Sequence, residues 1–262
     1  MSAETSSHER LKARSIYEIV REEGETELAR PLPSLWWSGL AAGIAISVSL
    51  IAKALIAERL PDASWAPLVS NLGYSLGFVV VVLGRLQLFT ENTITVILPL
   101  ASERSMHNLG RVARLWGIVL LANLAGTFTF AFASVVIGLF GAAEVEAFAK
   151  IAHHLMDQTP WETLLGGVPA GFMIAAMVWM LPNSQHASFL VIVVVTYFIG
   201  IGEFSHVIVG SADAFVLILL GEQSIASALF GFFFPALIGN IIGGTALFAL
   251  LAYAQVYHEV ED

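Results

Sequence analysis

Several residue types are scarce in this chain of 262 residues, and each shortage excludes a class of protein. Cysteine is absent, which excludes disulfide scaffolds and cysteine-ligated metal sites. Charged residues make up only 13% of the chain, about half of what a soluble domain carries, and this is too little to cover a water-exposed surface. The 12 Lys and Arg are outnumbered by 21 Asp and Glu, a balance that speaks against nucleic acid as a partner.

Motifs of catalysis and of ATP-driven transport are also missing. The sequence has no phosphate-binding Gly loop that ends in Lys-Ser or Lys-Thr, no zincin His/Glu spacing and no Gly-x-Ser-x-Gly. The adjacent His153 and His154 would point about 100 degrees apart on a helix, and we expect them in a loop. We therefore predict that the chain is not an enzyme and binds neither a metal nor a cofactor.

What the chain has in abundance is apolar residues, at 57% of its length. They fall into runs of about 20 residues, the length that an α-helix needs to cross a bilayer. We predict an all-α polytopic membrane protein with a transmembrane domain at residues 31–257 and a short tail at 258–262. The six predicted crossings, two of them interrupted, are Ser34–Ala57, Ala66–Leu83 with Asn92–Leu100, Leu115–Phe140, Thr163–Leu181, Ala187–Ile201 with Ala214–Leu220, and Ala228–Tyr257.

The polar N-terminal segment, residues 1–30, contains one short amphipathic stretch from Ala13 to Glu23. Ile16, Ile19 and Val20 would share one face of it, so we predict a helix on the cytoplasmic surface. Basic residues concentrate in this segment and between the second and third spans, and an excess of Lys and Arg marks the cytoplasmic side. We therefore expect both termini in the cytoplasm. The basic residues that carry this argument are Arg10, Lys12, Arg14, Arg21, Arg30, Arg104, Arg111 and Arg114.

The two halves of the predicted domain repeat three features in the same order. Polar residues interrupt the second span at 84–93 and the fifth at 200–206. The third and sixth spans share Asn-x-x-Gly, beginning at Asn123 and Asn240, and the first and fourth share Gly-x-x-Ala-Gly. Because three spans separate equivalent features, the halves must run in opposite directions through the membrane. Interrupted helices at matching places indicate a conduit between the halves.

Three motifs resemble the formate–nitrite transporter family. Leu88-Phe89-Thr90 resembles its loop motif in the second span, and the segment from Gly202 to His206 is similar to its central-histidine motif. The segment from Ile238 to Gly244 resembles its sixth-helix signature. The resemblance implies an aquaporin-like hourglass and a homopentamer in the inner membrane, with one pore in each protomer. The transported species would be small monovalent anions, such as formate or nitrite, or their weak acids.

His206 and Thr90 are the main candidates for contact with the transported species. A histidine inside a membrane span can exchange protons near neutral pH, and His206 could protonate a weak-acid anion. Thr90, in the opposite break, could donate its hydroxyl to the anion or to the histidine ring. We add Glu91, Glu203 and Ser205 as pore candidates because they neighbour these two residues.

The resemblance also implies apolar constrictions and support for the broken helices. Tyr74 and Phe198 would form one constriction, and Phe78, Leu88 and Phe89 the other, because apolar rings exclude hydrated ions. Asn123 and Asn240 would bind backbone groups freed by the breaks, since an amide both donates and accepts hydrogen bonds.

Departures from the family pattern leave alternatives open. The family's lysine before the fourth span falls at Leu155 here. Glu91 and Glu203 lie near the expected path, and carboxylates there would favour cations. Glu91 and Asp213 could instead pair with Arg85 or cap helices. A cation-permeable channel and a non-transporting membrane scaffold therefore stand as alternatives.

Overall fold

The computed structural model describes residues 11–260, and within that range every regular element is a helix. The first half consists of helix α1, a long helical rod, a rod split by a loop, and a second long rod. Its helices are α1 (Ala13–Ala29), α2 (Leu32–Ile46), α3 (Val48–Ala57), α4 (Ala66–Leu83), α5 (Asn92–Thr95), α6 (Ile97–Ser102) and α7 (Met106–Phe132), which a π-helical turn extends to Ile137.

The second half repeats this arrangement after an additional helix, α8. Its helices are α8 (Ala142–Met156), α9 (Pro160–Met180), α10 (Ser188–Ile201), α11 (Val207–Leu220), α12 (Ile225–Ser227), α13 (Phe234–Ile241) and α14 (Leu250–Val260). Two π-helical stretches, Ala228–Phe233 and Ile242–Ala249, join α12, α13 and α14 into one rod.

Among residues 11–260, five helical rods are long and apolar enough to cross a membrane: Leu32–Ala57, Ala66–Leu83, Met106–Ile137, Pro160–Asn183 and Ile225–Glu259. Three shorter apolar helical stretches accompany them: Asn92–Ser102, Gln185–Ile201 and Val207–Leu220. The short stretches flank the two predicted interruptions. The all-α polytopic fold is thus confirmed, while the count of six crossings stays a prediction.

Two sequence predictions need correction. His153 and His154 lie in the last turn of α8, not in a loop. The fifth span resumes at Val207, not at Ala214, because the polar segment from Gly210 to Asp213 is helical and buried. Its small residues permit close packing, since a Cβ at Gly210 would lie 2.1 Å from the Phe232 ring.

The predicted surface helix extends further than expected. α1 runs to Ala29 and buries Tyr17, Val20 and Leu28 against the rest of the protein. Ile19 is 37% exposed, against 8% for Ile16 and 0% for Val20, so the buried part of the face is narrower than the pattern indicated. Arg10 and the last two residues of the predicted tail lie outside the described residues.

Helix pairs in the two halves pack in the same way. α2 lies against α7 in the first half, and α9 lies against α13 and the π-helical stretch after it in the second. A Cβ on Gly43 would lie 2.1 Å from the carbonyl oxygen of Asn123, and one on Gly171 would lie 2.2 Å from that of Asn240. Small residues let helix backbones approach closely in membranes. This approach brings each asparagine to the break in its own half.

Candidate functional site

The first break is the loop between α4 and α5, and Asn123 of α7 holds it in place. The Asn123 side-chain oxygen accepts from the Phe89 N–H at 2.9 Å. Its amide nitrogen donates to the carbonyls of Gly39 and Gln87, both at 2.8 Å. The asparagine is fully buried. It therefore supplies partners that the interrupted helix can no longer provide.

The second break, between α10 and α11, is held in the same way by Asn240. Its side-chain oxygen accepts from the Val207 N–H at 2.9 Å, and its amide donates to the carbonyls of Gly167 and Ser205 at 2.9 and 2.8 Å. The matching bonds make Val207 the counterpart of Phe89. His206 therefore occupies the position that Leu88 holds in the first half.

Each break also contains a non-glycine residue in the left-handed region of backbone space. Arg85 has φ of 54° and Glu203 has φ of 53°. Both residues directly follow a glycine at the end of the preceding helix, where the chain must turn away from the helix axis. The two turns lie at equivalent positions, each four residues before the N–H that the asparagine binds.

His206 and Thr90 meet where the breaks come together. The His206 Nε2 and the Thr90 Oγ1 lie 2.8 Å apart, and both side chains are buried, at 1% and 0% exposure. The other ring nitrogen, Nδ1, accepts from the Val209 N–H at 3.3 Å and so caps α11. In the neutral ring the proton therefore sits on Nε2 and is donated to Thr90. The threonine hydroxyl proton remains free to be donated elsewhere.

Apolar side chains surround this pair. The Phe78 ring meets the His206 ring edge-on, with centroids 5.1 Å apart, and Tyr74 packs on Phe78 with centroids 5.5 Å apart. Leu88 and Phe89 are buried on the loop beside Thr90. The His206–Thr90 contact is thus the polar point in an otherwise apolar centre.

Two separate cavities flank this centre. The Gln87 cavity has a volume of about 370 Å³ and is lined by Gln87, Glu91 and part of α1, among others. The His206 cavity has a volume of about 50 Å³, and its lining includes His206 and Tyr74. The two linings share no residue. Along α4 the Gln87 cavity reaches Val82 and the His206 cavity reaches Tyr74, so that the buried Phe78 lies between them.

The predicted acidic candidates occupy different surroundings. Glu91 lines the Gln87 cavity, and its Oε1 is buried without a hydrogen-bond partner. It neither caps α5 nor pairs directly with Arg85, which binds Glu23 at 2.8 Å. Glu203 lines the His206 cavity, but its side chain is 53% exposed and lies 2.9 Å from the His154 ring.

Ser205 and Phe198 lie outside both cavity linings. The Ser205 hydroxyl donates to the Gln158 side chain at 3.2 Å, and its carbonyl accepts from Asn240. The Phe198 side chain is 53% exposed, and Ile199 lines the His206 cavity instead. One residue along a helix changes direction by about 100 degrees, so a register error of one residue accounts for the difference.

Lys53 is a residue near the site that the sequence analysis passed over. It lies on α3 and lines the His206 cavity together with Asp213 and Leu155. The sequence does indicate this residue, because a lone basic residue inside an apolar span is a functional candidate. Leu155, at the position of the family's lysine, therefore presents an apolar side chain to this cavity. The basic side chain comes instead from Lys53 in the first span.

Comparisons with known proteins agree with this architecture. The family model described as formate/nitrite transporter matches residues 14–254. The inner membrane protein YfdC of Escherichia coli (strain K12) is 39% identical over 251 residues, which cover 96% of this chain and 81% of that protein. The formate channel FocA of the same strain is 24% identical over 275 residues, covering 93% of each chain.

Two solved structures share the fold at low sequence identity. A pentameric formate channel with formate bound has a TM-score of 0.74 at 18% identity, covering 87% of this chain and 98% of that one. An ion channel of the FNT family has a TM-score of 0.77 at 17% identity, covering 93% and 98%. Together with the family match, they confirm a channel or transporter fold rather than an enzyme. The chain belongs to the formate/nitrite transporter family.

Proposed function

We propose that this protein passes small monovalent anions, or the weak acids they form, through a path that crosses the His206–Thr90 contact. Each protomer of a homopentamer in the inner membrane would contain one such path, with both termini in the cytoplasm. The observation that carries the proposal is the 2.8 Å contact between two buried polar side chains from opposite helix breaks. A cavity lies on each side of it.

The hydrogen-bond directions favour an anion at this point. The ring proton on Nε2 is donated to Thr90, which leaves the threonine hydroxyl proton for a passing acceptor. The surrounding apolar rings give a hydrated ion no replacement for its water. A small anion that accepts one hydrogen bond at a time, or the neutral acid, meets the lowest barrier.

The histidine would act here as a donor held in one tautomer. A second ring proton would have to displace the Val209 N–H from Nδ1, so the cap of α11 opposes the cationic form. The ring would then act through hydrogen bonding alone, with its Nε2–H orienting the Thr90 hydroxyl towards the transported species.

The relatives support the substrate class and the assembly. One relative is named as a formate channel and one solved neighbour is a pentameric formate channel. Another relative is named as an inner membrane protein. The several apolar helices of membrane-spanning length fit a multi-pass protein in that membrane.

Cation permeation is a second candidate because of Glu91. Its Oε1 is buried without a partner in the lining of the Gln87 cavity. An ionised carboxylate at that place would attract cations and repel anions. The two candidates differ in the sign of the reversal potential that asymmetric salt produces.

Flux into proteoliposomes tests the proposal. We expect formate uptake well above that of protein-free vesicles, a strong decrease in His206→Asn, and a purified particle whose mass corresponds to five chains. Vesicles that remain impermeable to formate, to other weak acids and to ions would support the scaffold alternative. A monomer or trimer mass would refute the proposed assembly.

A further inference from the structure

Two side chains of opposite charge face the His206 cavity from different helices. Lys53 lies on α3, where it shares a face with Ser49, which also lines the cavity. Asp213 lies on α11, two helical turns beyond His206 and on the same face. Tyr74 of α4 lines the cavity as well. The charges therefore face a space that reaches the histidine.

In the part of the chain that the structure describes, neither charged group has a direct ion-pair partner. Asp213 is 4% exposed, and its Oδ1 is buried without a hydrogen-bond partner. Within residues 11–260, the ion pairs closer than 4.0 Å do not include Lys53 or Asp213. Both groups line the same cavity, Lys53 from α3 and Asp213 from α11. A buried charge without a direct partner is costly, so both groups are available to a third species.

The other titratable groups of the lining leave Lys53 as the cation of this cavity. His154 lies 2.9 Å from the Glu203 carboxylate at the exposed rim. The His206 ring has both nitrogens engaged, with Val209 and Thr90. Lys53 is the one Lys or Arg among the residues that line the cavity, and its ammonium group carries three donors.

We propose that Lys53 binds a small monovalent anion in the His206 cavity, and that Asp213 competes with this anion for Lys53. The inference rests on the proposed function and adds a binding site and the control of its affinity. A channel must bind its ion strongly enough to admit it and weakly enough to release it. The Lys53 ammonium group attracts the anion. The Asp213 carboxylate weakens this attraction and repels divalent anions more strongly than monovalent ones.

Binding is tested first without transport. An anion that binds only the native state raises the thermal midpoint of the purified oligomer, and sodium formate against sodium gluconate is the probe. We expect formate to stabilise the wild type, to stabilise Asp213→Asn at about tenfold lower concentration, and to have little effect on Lys53→Gln. Loss of one hydrogen bond to a charged group corresponds to about tenfold or more in affinity.

Formate flux into proteoliposomes is measured on the same variants. At concentrations below saturation, Lys53→Gln should reduce uptake by about tenfold or more, and Lys53→Arg should retain most of it. Lys150→Gln and Asp62→Asn are matched controls, because these residues are exposed and line neither cavity. Both controls should behave as the wild type.

The outcomes separate the inference from the proposed function. If wild-type vesicles do not take up formate but its stabilising effect still requires Lys53, the proposed function fails and the binding site stands. If the wild type transports formate and Lys53→Gln matches Lys150→Gln in both assays, the binding site is refuted. If Asp213→Asn does not assemble, the comparison of Lys53→Gln with Lys53→Arg still tests the binding site. Stabilisation by sodium ions that disappears in Asp213→Asn would show a cation site and would also refute the proposal.

Discussion

Replacing Thr90 by valine removes the hydroxyl that the proposed function requires and leaves the side-chain shape nearly unchanged. In the structure this hydroxyl accepts from the His206 Nε2 at 2.8 Å. Valine cannot accept that proton or donate one to an anion. Because Thr90 is fully buried, water from the surface does not replace the lost group.

The size of the effect follows from the two hydrogen bonds involved. A hydrogen bond to a charged group contributes about 1.5–3 kcal/mol, so loss of the bond to the anion at the narrowest point should slow flux by about 10- to 100-fold. The unsatisfied ring N–H should cost a further 1–3 kcal/mol, roughly, in stability. We therefore expect a strong loss of formate flux with a modest decrease in the thermal midpoint.

The assay is initial formate uptake by proteoliposomes with matched protein content. Thr90→Ser keeps the hydroxyl and should retain most of the flux. Thr196→Val is the matched control, because Thr196 is equally buried but its hydroxyl donates only to the Ile192 carbonyl of its own helix, at 2.7 Å. A double variant with His206→Asn should lose little more than either single change, since both act on one contact.

One result would refute the reasoning. If Thr90→Val assembles normally and transports formate at the wild-type rate, the Thr90 hydroxyl does not take part in permeation. The His206–Thr90 contact would then have a structural role only.

Further changes test other parts of the structure. Glu91→Gln should raise the permeability to anions relative to cations, measured as a shift of the reversal potential in asymmetric salt. The reason is that a unit charge at 4 Å contributes roughly 4 kcal/mol at an effective dielectric constant of 20. An unchanged potential would exclude an ionised Glu91 beside the path. Asn240→Ala and Asn123→Ala should each lower the thermal midpoint strongly and to a similar degree, because each leaves one buried N–H and one buried carbonyl of a break unpaired, at about 1–3 kcal/mol per group; midpoints that differ widely would contradict their equivalence. Gly43→Ala should destabilise the oligomer by about 2 kcal/mol or more through overpacking, whereas Gly117→Ala, with open space around it, should not; equal thermal midpoints would show that α2 and α7 can separate without cost.

Much of the architecture could be predicted from the sequence because bilayers impose simple requirements. Apolar segments of spanning length, two polar interruptions and repeated Asn and Gly spacings were sufficient to predict helices, breaks and an inverted repeat. The glycines at 43 and 171 could be interpreted as contact points because only a missing side chain allows such close approach. The additional helix α8 was missed because it follows a span directly and is too short to produce a membrane signal.

The register of the breaks could not be predicted with the same success. The sequence placed the second interruption at 200–206, but the asparagine hydrogen bonds make Val207, just beyond it, the counterpart of Phe89. The sequence placed the polar residues from Gly210 to Asp213 before the point where the span resumes, but they form a tightly packed helical turn. Polarity indicates that a segment is not exposed to lipid, but it does not reveal whether the protein interior supplies partners and space.

The sequence by itself determined that this chain is a polytopic helical protein with two broken spans and a histidine in one of them, because hydrophobic length and periodicity are local properties. The tertiary structure decided which residues meet at the centre. It brought Thr90 to His206, directed Ile199 rather than Phe198 into the cavity, and placed Lys53 and Asp213 around the same space. These relations join helices far apart in the chain, and they depend on helix rotation and close backbone contact, which no local pattern encodes.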